Sequence, residues 1–194
     1  MKTDDRHGIT VNIIGEKNLE YEVEQNFQEV RRLLLLLGIS INTRFVHEIT
    51  TSDLFTLPQA ELNILRDPSL FKVGKTLQDL FGIPFLESFP VGLSGTLQFL
   101  RDAGTAAGIP YEHAISQEEE YQRSVLAEFS ELTGSRVNRN YQLYPAEETV
   151  IDEIMSRVGL CEEKEGAKKP VPVPAPIGTG GVRRMLHCWR RIIA

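Results

Sequence analysis

Two short stretches of this sequence hold residue types that could recognise an anion. The first joins Gly15, Glu16, Lys17 and Asn18 with Arg66 and Asp67; the second contains Pro90, Gly92, Ser94, Gly95 and Thr96. Lys17 and Arg66 bring positive charge, and backbone amides at a helix start would add donors for a carboxylate or phosphate. The Gly92-Leu93-Ser94-Gly95-Thr96 run fits neither G-x-G-x-x-G nor G-x-x-x-x-G-K-[ST], so a tight turn with Ser94 capping the next helix accounts for it. Gly178-Thr179-Gly180-Gly181 has no strand pattern before it and is not read as a nucleotide motif. His7, His47, His113 and His187 lack the three- or four-residue spacing of a helical metal pair. Cys188 beside His187 lies in a segment read as unstructured, which argues against a thiol–imidazole dyad. The metal-ligand reading is none.

Those two stretches need a scaffold, and the first two thirds of the chain supply one. Residues 9–15 are β-branched and end on glycine, as a buried strand does. Val23, Phe27, Val30, Leu33, Leu34 and Leu37 then recur at helical spacing up to Gly38. Alternation over 39–46 gives a half-buried strand near a sheet edge, and a short helix over 52–57 follows. Strands over 61–65 and 83–88 flank a helix over 70–81, and a helix over 94–106 closes the unit. Strand–helix alternation with short connections implies parallel pairing. The expected fold is α/β, a three-layer Rossmann or flavodoxin-like sandwich with a four-stranded, mainly parallel sheet of order 2-1-3-4 plus C-terminal helices. In such a sheet, ligands bind beyond the carboxyl ends of the strands, which is where residues 15–18 and 66–69 would sit, with 90–96 beside them.

The chain divides into a Rossmann-like unit over 8–110, a helical connector and aborted start of a further domain over 111–160, and a tail over 161–194. Ser116 with Glu119 reads as a capping box for a helix over 117–132, with Glu118, Glu119 and Glu120 in its first turn. Pro145 would open a short helix running to Gly159. The tail is Pro-rich, then Gly-rich, then basic, and is expected to be largely disordered. Its four arginines around Leu186 and Trp189 leave open a basic amphipathic segment for a partner or a membrane surface.

Composition narrows the function classes. Of 194 residues, 21 are Lys or Arg and 27 are Asp or Glu, a net charge of −6 that argues against a nucleic-acid partner. Two cysteines make neither a disulfide framework nor a four-thiolate site. The longest apolar run, 33–37, is far too short to span a membrane, and the start lacks a signal-peptide layout, so the expected location is cytoplasmic.

Five phrases in order resemble one family: VNIIG at 11–15, EVRRLL…LGISIN at 29–42, LPQAELNI at 57–64, LQDLFGIPF at 77–85 and FPVGLSGTLQFLR at 89–101. They are similar to component 1 of nitrogenase and its relatives, including the dark-operative protochlorophyllide reductase, over roughly 8–137. The resemblance implies an oxidoreductase part that works with nitrogenase-like partner subunits and an ATP-dependent iron protein, passing electrons through an iron–sulfur cluster. It also implies that the cluster's cysteines lie upstream of the VNIIG strand, and no cysteine occurs from 9 to 106. The chain is therefore read as a truncated or single-domain member, without cofactor and inactive alone, its catalytic residues unknown. The alternative is a non-catalytic ligand-binding or assembly module docking on related subunits, and homo-oligomerisation stays open. A nucleotide-binding Rossmann enzyme is disfavoured because only Gly15 follows the first strand.

Overall fold

The computed structural model describes residues 8–16, 22–45, 49–140, 146–162 and 170–193. Strand β1 (Thr10–Ile14) is buried on both faces, which explains its run of β-branched residues. It lies between β2 (Ser40–Phe45) and β3 (Leu62–Leu65), and β3 pairs in turn with the short β4 (Phe85–Leu86). All three pairings are parallel and the order is β2-β1-β3-β4, as the alternation of patterns implied.

The side-chain alternation of the strands sorts the helices into two layers. Val11, Ile13, Leu62 and Ile64 face α1 (Val23–Leu36) and α4 (Gly92–Ala107), burying Val30, Leu33, Leu34, Phe99 and Leu100. Ile14 and Leu65 face the other way, against Leu57 in the 3-10 extension of α2 (Thr51–Thr56), Leu70 in the 3-10 turn Pro68–Leu70 and Leu77 of α3 (Phe71–Phe81). One irregularity matters: Val11 pairs with Ile41 but Asn12 with Thr43, so Asn42 is the extra residue of a bulge. The bulge turns Asn42 and Thr43 toward the same layer. Asn42 donates to the Asn12 side chain (2.8 Å) and to the Thr56 carbonyl (2.9 Å), while Thr43 meets the Thr56 hydroxyl (2.9 Å).

The later part of the chain folds as well. Helix α5 (Glu112–Ala127) leads to β5 (Arg136–Asn140), α6 (Glu148–Val158), β6 (Cys161–Glu162), β7 (Pro170–Pro172) and α7 (Gly178–Ile193). Strands β6-β5-β7 form a second parallel sheet. Around it Phe129, Val137, Ile151, Ile154, Val171, Val173, Leu186 and Trp189 make a second core.

Several expectations therefore need correction. The tail over 161–194 is ordered wherever it is described. Val171 and Val173 point inward while Pro170 and Pro172 alternate with them on an edge strand, the one sheet position where missing N–H donors are harmless. The apolar face of the basic segment packs inside the chain: Val182, Leu186 and Trp189 are fully buried, and the indole N–H donates to the Pro172 carbonyl (2.7 Å). The apolar face of α7 is thus occupied within the chain. The connector helix starts at Glu112, two residues after Pro110, because Ala114 and Ile115 already pack on the first core. Ser116 is thus one turn inside, its hydroxyl donating to the Glu112 carbonyl (3.0 Å), and caps nothing. Pro145 lies outside the described residues, and α6 begins at Glu148.

Candidate functional site

The first predicted stretch lies at the carboxyl tips of β1 and β3, but its groups are already engaged. Gly15 adopts φ +93, and a methyl group there would collide with the Leu70 side chain laid over it. Glu16 is buried and accepts from Nε of Arg44 at 2.6 Å. Arg44 also pairs with Glu24 (2.9 Å) and stacks on the Phe27 ring, 3.6 Å from its centroid. Burial opposes that guanidinium's charge, yet the bonds to Glu24 and Glu16 outweigh it and hold its pKa above the ordinary arginine value. Lys17 and Asn18 lie outside the described residues. Arg66 stacks on Phe89 (4.5 Å to the centroid), and Asp67 accepts from the Ser69 amide (2.8 Å) to start a 3-10 turn.

That Arg66–Phe89 contact brings the second stretch alongside, and here the structure shows a pairing that no sequence motif carries. Pro90-Val91-Gly92 lies antiparallel to Pro176-Ile177-Gly178, bridged at Val91 and Ile177. The Gly92 amide donates to the Pro176 carbonyl (2.9 Å) and the Gly178 amide to the Pro90 carbonyl (2.7 Å). Each glycine has positive φ, +73 and +65, and each begins a helix, α4 and α7. Two residues on, each helix receives a carboxylate from elsewhere: Glu153 of α6 accepts from the Ser94 amide (3.1 Å), and Glu29 of α1 from the Gly180 amide (2.8 Å). One free amide at each of the two helix starts is thus taken by a carboxylate of the protein's own, Ser94 by Glu153 and Gly180 by Glu29. Ser94 does not cap its helix; its hydroxyl also donates to Glu153. Thr96 bonds back to the Gly92 carbonyl, and a Cβ on Gly95 would meet nothing. The Gly178–Gly181 run does follow a strand, but its Gly180 amide holds Glu29.

Behind the second loop sits a buried charge network. Arg32 bonds Glu29 in bidentate fashion (2.9 and 2.8 Å) and Glu118 at 2.9 Å. Glu118 is fully buried and also accepts from the hydroxyl of Thr179. Burial opposes the Arg32 charge, and the bonds to Glu29 and Glu118 outweigh it, raising its pKa well above the ordinary value. Under the first crevice, Asn12 donates to Asn63 (2.9 Å) and to the Leu57 carbonyl (3.0 Å), both asparagines being buried. Apart from Glu29 and Arg32, three residues apart on α1, the networks join residues 45 or more positions apart, which no periodicity marks.

The remaining candidates do not converge. His187 pairs with Glu128 (3.2 Å) and sits edge-on to Phe129, turned to partners other than the Cys188 thiol. Cys161 is exposed on β6. Among the described residues, no three His, Cys, Asp or Glu side chains are placed to hold a metal ion.

Compared with known proteins, residues 1–138 match the family model of the nitrogenase component 1 type oxidoreductases. The chain belongs to that family. A light-independent protochlorophyllide reductase polypeptide of Bradyrhizobium sp. (strain ORS 278) is 34% identical over 131 residues, covering 65% of this chain and 25% of that protein. Its counterpart in Synechococcus sp. (strain WH7803) is 34% identical over 134 residues, covering 66% and 25%. This nitrogenase component 1 type chain thus spans about a quarter of the length of these relatives. Among solved structures, "Nitrogenase Cp1 at pH 5" superposes with a TM-score of 0.60 at 19% identity, over 83% of this chain and 34% of that one. A substrate-binding protein of an ABC transporter from Listeria monocytogenes EGD-e shares the fold at a TM-score of 0.51 and 7% identity, over 84% and 67%. The family's iron–sulfur chemistry does not fit the thiols present. A cluster takes four ligands, commonly thiolates, and this sequence has Cys161 on an edge strand and Cys188 on α7.

Proposed function

We propose that this chain is a scaffold domain of a light-independent, protochlorophyllide-reductase-like assembly, with catalytic residues and cluster ligands contributed by other polypeptides. The observation that carries the reading is the 131-residue alignment at 34% identity to a light-independent protochlorophyllide reductase polypeptide, set beside a sequence with two cysteines. In this reading the partners are nitrogenase-like subunits and an ATP-dependent iron protein, and the compartment is the reducing cytoplasm. What the chain supplies is shape: a four-stranded sheet whose tips are locked by Arg44–Glu16 and Arg66–Phe89. The test is anaerobic reconstitution of the purified chain with iron and sulfide, followed by iron analysis and electron paramagnetic resonance. Substoichiometric iron with no cluster signal is expected; a full cluster per chain would overturn the assignment of its ligands to partners.

The internal pairing of both glycine loops favours a second reading, an assembly module with no redox role. Thermal-shift measurements with porphyrins and phosphorylated ligands separate the two. A shift with porphyrin alone supports the reductase-like reading, and no shift with any ligand supports the assembly module.

A further inference from the structure

The first sheet stops at β2, and the free edge of that strand opens on a cavity of about 480 Å³. Its floor is residues 39–44; its walls are Phe27, Arg31 and Leu35 of α1 and, opposite, Ile49 and Asp53 at the start of α2. We propose that this groove captures an extended acidic segment of another polypeptide, which adds to β2 as a fifth strand. The inference is separate from the reductase reading and shares one residue with it, Arg44: there its Nε holds Glu16, here its Nη2 lacks an acceptor among the described residues.

Backbone geometry is the first argument. Among the described residues β2 pairs only with β1, so its outer N–H and C=O groups have no ladder partners, the condition for strand addition. The bulge at Asn42 breaks the regularity of that edge, which blunts indiscriminate pairing and leaves side chains to select the partner. Spacing is the second argument. Phe27, Arg31 and Leu35 stand four residues apart on one stripe of α1, about 6 Å per step along the axis. Same-face residues of a strand repeat every ~6.7 Å. An apolar–acidic–apolar triplet at alternate strand positions therefore matches apolar–cationic–apolar along the helix.

Charge is the third argument. Arg31 is exposed at the middle of the wall and has no ion-pair partner among the described residues. Arg44 spends Nε and Nη1 on Glu16 and Glu24, while its Nη2 is buried without an acceptor among those residues. The carboxylate in the groove, Asp53, is turned back to the amide and hydroxyl of Thr50 (both 2.7 Å). The cation of the groove without a carboxylate partner among the described residues is thus Arg31, and Arg44, though paired with Glu16 and Glu24, keeps one buried N–H that lacks an acceptor. Leu35, with 56% of its surface exposed, would be covered by the incoming strand.

The experiment uses the full chain and two labelled peptides, capped Val-Thr-Glu-Thr-Val and capped Val-Thr-Lys-Thr-Val, followed by fluorescence anisotropy at low salt and by amide exchange. The acidic peptide should bind about fivefold tighter, the upper range for a partly exposed ion pair, and should slow exchange within residues 40–45. Arg31→Glu, a change on the helix surface away from both cores, should reverse the preference while circular dichroism stays unchanged. Three results would overturn the proposal: no binding of either peptide at millimolar concentration, binding indifferent to peptide charge in both proteins, or protection of 40–45 by concentration-dependent dimerisation without peptide.

Discussion

Glu29 and Glu153 do the same job at two helix starts with different amounts of burial. Glu29 is 7% exposed and shares its charge with Arg32 and the Gly180 amide; Glu153 keeps 20% of its side-chain surface. Breaking a buried ion pair costs about 3–5 kcal/mol. Because Arg32 retains 34% of its surface, Glu29→Gln should cost less, about 2 kcal/mol, and Glu153→Gln about 1 kcal/mol, within the range of a lost cap. Urea midpoints of the two variants check the ranking, and equal costs would contradict it. Asp53 gives a pH prediction. The Thr50 amide first, and then its hydroxyl, hold the Asp53 carboxyl below the ordinary aspartate range. A folded pKa below the unfolded one means the cap stabilises α2 above the unfolded value and is lost as pH falls through the folded value. A carbon-detected NMR titration should place the Asp53 midpoint below that of free aspartate, and Thr50→Ala should move it upward.

At the scale of elements, α7 changes the picture of the chain most. It carries the sole tryptophan, and Trp189 is fully buried against Pro172. Emission from the native protein should therefore be blue-shifted and resistant to iodide quenching, and Trp189→Ala should cost about 3–5 kcal/mol. Red, freely quenched emission would mean the helix does not dock. The sequence was readable where one element carried its own signal. β1, α1, β3 and α3 follow from periodicity within a single segment, and their parallel order follows from short connections. It was unreadable where pattern depends on a distant partner. The alternation of Val171 and Val173 with prolines makes a strand only because β5 lies beside it; residues 134–137 do read as the opening of a strand, but the apolar run stops after Val137, so the extent of β5 to Asn140 is not announced. The candidate loops fared similarly. The glycines of 92–95 and 178–181 were visible, but Glu153 and Glu29, which fill their amides, lie 59 and 151 positions away.

Across the whole molecule, two parallel sheets are stitched by the crossing of Val91 with Ile177, and each of the two helices born there is capped from a different part of the chain. The match over residues 1–138 sets the family, while the fold continues beyond it through α6 and α7. No helix among the described residues is long and apolar enough to cross a membrane. Under the scaffold proposal, the framework belongs to a reductase-like assembly and the redox ligands come from partner polypeptides. Anaerobic turnover tests it most directly: the purified chain, an ATP-dependent iron protein, ATP and protochlorophyllide, with substrate absorbance followed over time. No loss of protochlorophyllide is expected from this mixture, and ATP-dependent reduction by this chain without further subunits would refute the assignment of the redox ligands to partners.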